Sequence, residues 1–481
     1  APLEDCRAEL ELDASFTFEQ ICDPQDGTFV VSFTSAASVQ GSEYTHTWDF
    51  GVEGISTDVS TDPNPTYDGY TAGNFKVVHT VSNACITETF TEILKLPDCN
   101  FLCTPAGCGN NIFKIKGPVS VSQLGDVDAN GNPIYVEGNP NATCYQIRGV
   151  LTIDVPFALV DKQVTMEPGS AVIVNPNVKL SIENSDISSC KMWTGITVEA
   201  AGNLDIFDNS SIQDAINAVQ LVEGSNLFSL GTLFDRNVVG IRINGTPNLL
   251  GFENNTFSCS STLNDVSDAT NGGWGYAGII SNAASYAIGN LDQTSTVLNT
   301  FKDTDYGVIC SRGSIVVADA KFENLRKVTS SLPFGSDNSS GVGIYGYLLS
   351  EAIFSESQFS NLSTGIFAAV CPLNAQFNSM VTIEQGIRLK GPTFQFEINK
   401  NEINPSQVGI YLSGGAALSG IGPRNISLNT IQLSGGEARN RAVIVEGSPF
   451  TDGRFIEVSS NEIDINNVSS TLFQAVHILS S

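Results

Sequence analysis

Three groups of residues in this sequence have the types and spacing to do chemistry. Asp126, Asp128 and Asn130, with Gly131 following, give the Asp-x-Asp-x-Asn-Gly oxygen spacing of a calcium loop, and Glu137 stands at its twelfth position. The flanking helices of an EF-hand are not supported, and Pro133 and Pro140 argue against them, so an acidic Asn-Gly turn competes with calcium binding. Arg388 and Lys390 share one face of the run Ile387-Arg388-Leu389-Lys390, where a polysaccharide lyase would place a base and a group that neutralises a uronate. Cys99, Cys103 and Cys108 lie close enough together to suggest zinc, although their spacing fits no standard finger and only His46, His79 and His477 could join them.

Other catalytic patterns are missing. A pectinase-type hydrolase needs paired carboxylates with a Gly-His-Gly phrase, which the chain lacks. There is no Gly-x-Ser-x-Gly elbow, no phosphate-binding loop and no His-Glu-x-x-His. No enzymatic role is therefore expected, and polysaccharide lyase-like activity remains the alternative. No cofactor is implied beyond the calcium reading.

Composition narrows the class further. The 481 residues carry 51 acidic and 23 basic side chains, a net charge of −28. No basic stripe exists to neutralise phosphates, which argues against nucleic acid, and docking on anionic lipid is disfavoured for the same reason. An acidic surface keeps a secreted protein soluble, above all where salt screens its self-repulsion. No apolar run approaches 18 residues, so no membrane span is expected. Ala1-Pro2-Leu3-Glu4-Asp5 reads as a mature end left by signal-peptide removal. Of eleven cysteines, six fall in the first 108 residues, a clustering that suggests disulfides in an oxidising compartment. The odd count leaves at least one thiol free or intermolecular. Localisation is expected to be secreted, extracellular or at a cell surface. Eight Asn-x-Ser/Thr sequons, Asn141, Asn361 and Asn425 among them, are what so Asn- and Ser-rich a chain gives by chance.

The elements that must position these residues follow from a repeat. Gly343-Ile344-Tyr345, Gly365-Ile366-Phe367, Gly386-Ile387-Arg388 and Gly409-Ile410-Tyr411 recur at steps of 22, 21 and 23 residues. Phe359, Met380 and Ile403 each stand six positions ahead of one of these glycines. A period in the low twenties, with short alternating runs between Asn, Ser and Gly, predicts a solenoid of β-strands. The phrase extends back through Phe322, Phe301, Phe257, Phe234 and Ile212 to Ile187, and forward to Ile431 and Ile463. Each Gly is expected to supply backbone freedom beside a corner, while the apolar residue after it stacks on its counterpart in the next coil. Eleven marked coils and a few irregular ones stack to roughly 60 Å at about 4.8 Å per coil. The fold class is all-β: an N-terminal β-sandwich over residues 1–97, a Cys-rich linker over 98–112, and a right-handed parallel β-helix over 113–481. The linker is expected to fix the first domain against the second.

Residues 10–97 resemble the PKD domain, an immunoglobulin-like sandwich. The resemblance rests on Trp48-Asp49-Phe50-Gly51, the turn Pro63-Asn64-Pro65-Thr66-Tyr67, and the strand from Gly73 through Phe75, Val77 and Val81 to Ser82-Asn83. Where that family reads Phe-Gly-Asp-Gly, this chain has Gly51-Val52-Glu53-Gly54 after Phe50. The resemblance implies a spacer or adhesive module, with Cys22 and Cys85 as a staple between sheets. Cys190-Lys191-Met192-Trp193-Thr194-Gly195-Ile196 resembles a phrase of secreted bacterial right-handed β-helix proteins, many of which carry PKD domains and end in a sorting domain not found here.

The spacing between marker and Gly grows to 21 residues at Phe257–Gly278 and Phe322–Gly343, and to 11 and 12 at Ile431–Ala442 and Ile463–Ala475. All four insertions fall in one corner, and solenoids often bind through such an edge. Trp274, Tyr276 and Phe334 are its candidate contact residues; decoration of an exposed turn is the competing reading. The last residues, Ala475 to Ser481, read as an apolar strand without a polar cap, so a second subunit or further chain is expected to cover them. The function expected is that of a non-enzymatic structural or adhesive surface protein, one subunit of a larger extracellular assembly. Its partners would be other subunits or cell-surface glycans.

Overall fold

Alternating apolar residues make strands with one buried and one wet face, and the first hundred residues pack two such sheets together. The computed structural model describes residues 14–23, 28–36, 44–52, 55, 58–82, 87–96, 103, 105, 108, 111–264, 273–289, 298–327, 340–391, 395–413, 424–434, 441–446, 456–466 and 474–479. Phe16–Asp23, Thr28–Ser35 and Thr66–Tyr70 form a three-stranded antiparallel sheet. Val59–Ser60, Thr45–Asp49, Gly73–Ser82 and Thr87–Leu96 form a four-stranded one. Phe33, Trp48, Tyr70, Val77 and Leu94 are buried between them. Trp48 keeps its indole N–H satisfied on the carbonyl of Asp62 at 2.8 Å, and the Tyr70 hydroxyl donates to the carbonyl of Phe50 at 2.8 Å. The result is a β-sandwich. Cys85 lies outside the described residues, as does the side chain of Cys22.

Beyond Ile112 the strands pair in parallel, each on the matching strand one coil later; the short Val136–Glu137 is antiparallel to Ile112–Lys116. Three walls result. The first carries the markers: Ile187 pairs with Ile212, Phe301 with Phe322, Phe322 with Phe359, and Met380 with Ile403. The second carries the residues after the glycines, with Val308 on Ile344, Ile344 on Ile366 and Ile366 on Ile387. The third starts as a separate five-stranded sheet from Phe157–Val160 to Asn248–Glu253 and continues through Leu373–Gln376, Phe396–Asn399 and Arg424–Ser427. The inward residues of all three walls make one continuous core. The chain is a parallel β-helix behind an N-terminal sandwich.

The interior is built as columns. Phe234, Phe257, Phe301, Phe322 and Phe359 stack at successive centroid distances of 4.8, 4.8, 4.9 and 4.8 Å, with ring planes within 10° of parallel. That distance is the spacing of adjacent strands, so the backbone ladder sets the ring stack. The marker glycines prove to serve space and not backbone freedom. Gly240, Gly278, Gly307, Gly343, Gly365, Gly386 and Gly409 are absent from the residues with positive φ. A Cβ on Gly278 would meet the Phe301 ring at 2.4 Å, and one on Gly343 would meet the Phe359 ring at 2.7 Å. For these seven the expected conformational role is therefore corrected: each leaves room for the marker side chain of the next coil, a Phe ring at the first four and Met380, Ile403 and Ile431 at the last three, while Gly195 alone of the phrase keeps a positive φ. Left-handed backbone falls instead on corner residues such as Asn254, Asn361, Phe377, Lys400 and Leu428.

A second column closes the corner between the third and first walls. Asn378, Asn401, Asn429 and Asn461 follow left-handed residues and turn inward. The side-chain amide of Asn378 donates to Asn401 Oδ1 at 2.9 Å, Asn401 to Asn429 Oδ1 at 2.9 Å, and Asn429 to Asn461 Oδ1 at 2.9 Å. Each backbone N–H in the series donates to the same oxygen, at 3.1, 3.1 and 3.0 Å. Asn255 and Asn299 repeat the arrangement, and Ser185 and Ser210 open it. Buried polar groups need such partners; here each coil supplies them to the previous one.

Candidate functional site

The second wall is where the two domains meet. Glu92, on Thr87–Leu96 of the sandwich, pairs with Arg242 of the rod at 3.5 Å. Gln20 donates to Thr194 Oγ1 at 3.3 Å, and Asn282 to Ser15 Oγ at 3.3 Å. Asn217 Oδ1 accepts from Arg242 Nε at 2.9 Å and fixes the guanidinium. Burial pushes the Glu92 carboxyl up, and Arg242 works against that rise. Between the domains lies a cleft of about 190 Å³ lined by Phe16 and Phe90 from one side and Asn244, Asn282, Ser311 and Tyr347 from the other.

The linker is tied down beside this seam. Cys103 forms a disulfide with Cys190, and Cys108 with Cys144, so both bridges run from the linker to the rod. The Cys103 N–H also donates to Glu167 Oε2 at 2.7 Å, and Gln146 donates to the Cys103 carbonyl at 2.9 Å. The zinc reading fails here, because the sulfurs of Cys103 and Cys108 are spent on disulfides; Cys99 lies outside the described residues. Cys259, Cys310 and Cys371 are buried free thiols. Burial raises all three, Cys259 to about 11 and Cys371 to about 12, so none is a ready nucleophile at neutral pH.

Titratable groups also line the corner between the first and second walls. Arg236 holds Asp214 through Nε at 2.9 Å and Nη2 at 3.0 Å, and Asn264 adds a third donor at 2.9 Å. Burial nonetheless raises Asp214. At Asp235 burial pushes the same way, but donors from Ser260 and Ser258 outweigh it and hold the carboxylate below its usual range. Asp305 is pushed up to about 7 by burial, against Arg326 at 3.8 Å and the field of Lys95 from the sandwich.

The candidate residues of the sequence fall as follows. Asp128 uses its oxygens on its own loop, accepting from the N–H of Asn130 at 2.8 Å and of Asn132 at 2.9 Å; those bonds hold its carboxyl low. Glu137 pairs with Lys116 on the neighbouring strand. Among the described residues no three His, Cys, Asp or Glu gather as a metal-holding group. Strand pairing sets Glu137 opposite Lys114 and beside Lys116, and Lys116 holds its carboxyl below the usual range.

Arg388 is a rung in an outward-facing column. Tyr345 stacks on Phe367 at 4.9 Å, and the Arg388 guanidinium lies 5.4 Å from both the Phe367 and Tyr411 rings. Tyr411 in turn donates to Glu446 Oε2 at 2.6 Å. Strand register explains the column, since Phe367 pairs with Arg388 and Arg388 with Tyr411. Lys390, two residues on, is the register partner of Ala369 and Ser413.

Of the insertion residues, Trp274 is half-buried against Met192, Ile216, Cys259 and Leu263, with Arg326 over its ring at 4.4 Å. Tyr276 packs edge-on to Tyr306 at 5.4 Å, and its hydroxyl is buried without a hydrogen-bond partner among the described residues. Phe334 lies outside the described residues. All four insertions connect the first wall to the second. Sequence reasoning missed the seam, whose residues come from strands some 150–270 positions apart. No signal in the order of residues joins them.

No helix among the described residues is long and apolar enough to cross a membrane. No family model matches the chain, and no curated protein or solved structure matches it.

Proposed function

We propose that the chain is a non-enzymatic, secreted structural or adhesive surface protein, a subunit of a larger extracellular assembly, whose sandwich is a PKD-like module. The observation that carries this reading is how the polar residues are spent. Asn378, Asn401, Asn429 and Asn461 bind one another along the axis, Asp214 and Asp235 brace corners, and Arg388 is clamped between two rings. Arginine is a poor general base in any case, being always protonated. Two disulfides from the linker and an ion pair across the seam add resistance to shear between sandwich and rod. Disulfides suit an oxidising, extracellular setting.

Incubation with acidic polysaccharides tests the reading, following the ultraviolet absorbance of the unsaturated product that a lyase releases. The expected outcome is no turnover above a heat-treated control. Sustained release that Arg388→Ala abolishes would replace this reading with a lyase.

A further inference from the structure

We propose that the cleft between sandwich and rod binds a single saccharide residue of an extracellular glycan. The proposal rests on the adhesive reading above and gives it a site. Phe90 and Tyr347 supply one partly exposed ring from each domain, which suit the C–H face of a sugar, while the Phe16 ring packs behind Phe90 in the sandwich core. Asn244, Asn282 and Ser311 supply amide and hydroxyl groups, able both to donate and to accept, which suit its hydroxyl edge.

Charge and size narrow the ligand further. The four charged lining residues cancel, Arg242 against Glu92 at 3.5 Å and Arg312 against Glu88 in number, so no net charge demands an ionic ligand. The volume, about 190 Å³, lies below the roughly 300–1,000 Å³ of drug-sized pockets. One ring therefore fits better than a folded peptide or a long oligosaccharide. Asn282 already spans the seam, donating to Ser15 Oγ and accepting from Ser311 Oγ at 2.9 Å, so the polar side is held in place before anything binds. Elsewhere along the seam the Oε1 of Gln20, a 4 % exposed residue, has no hydrogen-bond partner among the described residues. The junction is polar and incompletely satisfied, as a hydrated recognition site is and a dry packing interface is not.

The test is saturation-transfer NMR on the whole chain with glucose, galactose, mannose, fucose, N-acetylglucosamine and glucuronate as probes. The expected result is transfer to at least one neutral sugar, reduced tenfold or more in Tyr347→Ala and in Asn244→Ala. Asn244 is half-buried, so its variant keeps the test usable if Tyr347→Ala melts early; circular dichroism and melting temperature verify both. Transfer from none of the six sugars, or transfer unchanged in both variants, overturns the proposal. Either result leaves the non-enzymatic reading standing, whereas a new product in the sugar or polysaccharide spectra would overturn that reading instead.

Discussion

At the scale of single residues, two positions carry testable consequences. Gly343 is glycine because the Phe359 ring and the Gly365 carbonyl oxygen would each stand 2.7 Å from a Cβ. Gly343→Ala is expected to cost roughly 1–3 kcal/mol, the range for overpacking a filled core. Gly125→Ala, where a Cβ meets nothing within 4 Å, should be near neutral in the same urea titration. The buried pair His46 and His79 is the second case. His79 Nδ1 faces the carbonyl of Ala14 at 2.7 Å, which can only accept, so that nitrogen carries the proton. His79 Nε2 must then accept from His46 Nδ1 at 3.1 Å. Burial lowers the His46 pKa from 6.5, with Asp62 opposing. A lowered histidine binds its proton more readily unfolded, so the sandwich keeps its stability above pH 6.5 and loses it as pH falls below. Melting followed by Trp48 fluorescence should show that fall, and His46→Gln should show a smaller one. A flat profile in the parent would contradict the lowered His46 pKa.

At the scale of elements, the coil is a set of columns, and each column has its own cost of interruption. Asn401 accepts two donors from Asn378 and donates to Asn429 and to the Ala375 carbonyl. Asn401→Ala orphans the Asn378 backbone N–H, a buried group worth about 1–3 kcal/mol when unsatisfied, and leaves its side-chain amide only the Phe354 carbonyl at 3.0 Å. Hydrogen exchange at Asn378 and its neighbours should accelerate by two orders of magnitude or more, while the sandwich amides keep their rates.

These columns also mark what was legible beforehand. The repeat of Gly-Ile phrases announced the coil, because period and alternation are local properties of the chain. The six-residue spacing of Phe359 and Gly365 was visible as well, but the need for glycine was not. It comes from contact between one coil's glycine and the next coil's marker, as between Gly343 and Phe359, a relation that only stacking creates. The buried asparagines were hidden among many exposed ones, since an Asn at a corner and an Asn in a ladder look alike in sequence. The partner of Glu137 was hidden for a related reason: oxygen spacing says nothing about Lys116, which strand pairing sets beside it.

At the scale of the whole molecule, the sandwich and the rod are joined by covalent and polar links of different kinds. Replacing Cys103 and Cys190 by serine removes one bridge without touching the columns. The rod's melting should shift little, while proteolysis between the domains should rise several-fold, more so when Arg242→Ala also removes the ion pair with Glu92. Successive windings lie in register across the insertions, so that one coil's partners are fixed even when many residues intervene. Lys321 and Gln358 are register partners on the first wall although 37 positions separate them, and Ser379 is the partner of Gln358 one coil further on. A disulfide needs Cα atoms within about 7 Å, which neighbouring coils meet and coils two apart, at roughly 9–10 Å, do not. Oxidation of the pair Lys321→Cys and Gln358→Cys should give a bridge within the folded chain, and the pair Lys321→Cys and Ser379→Cys should not. Bridging of the second pair with failure of the first would contradict the stacked-coil account.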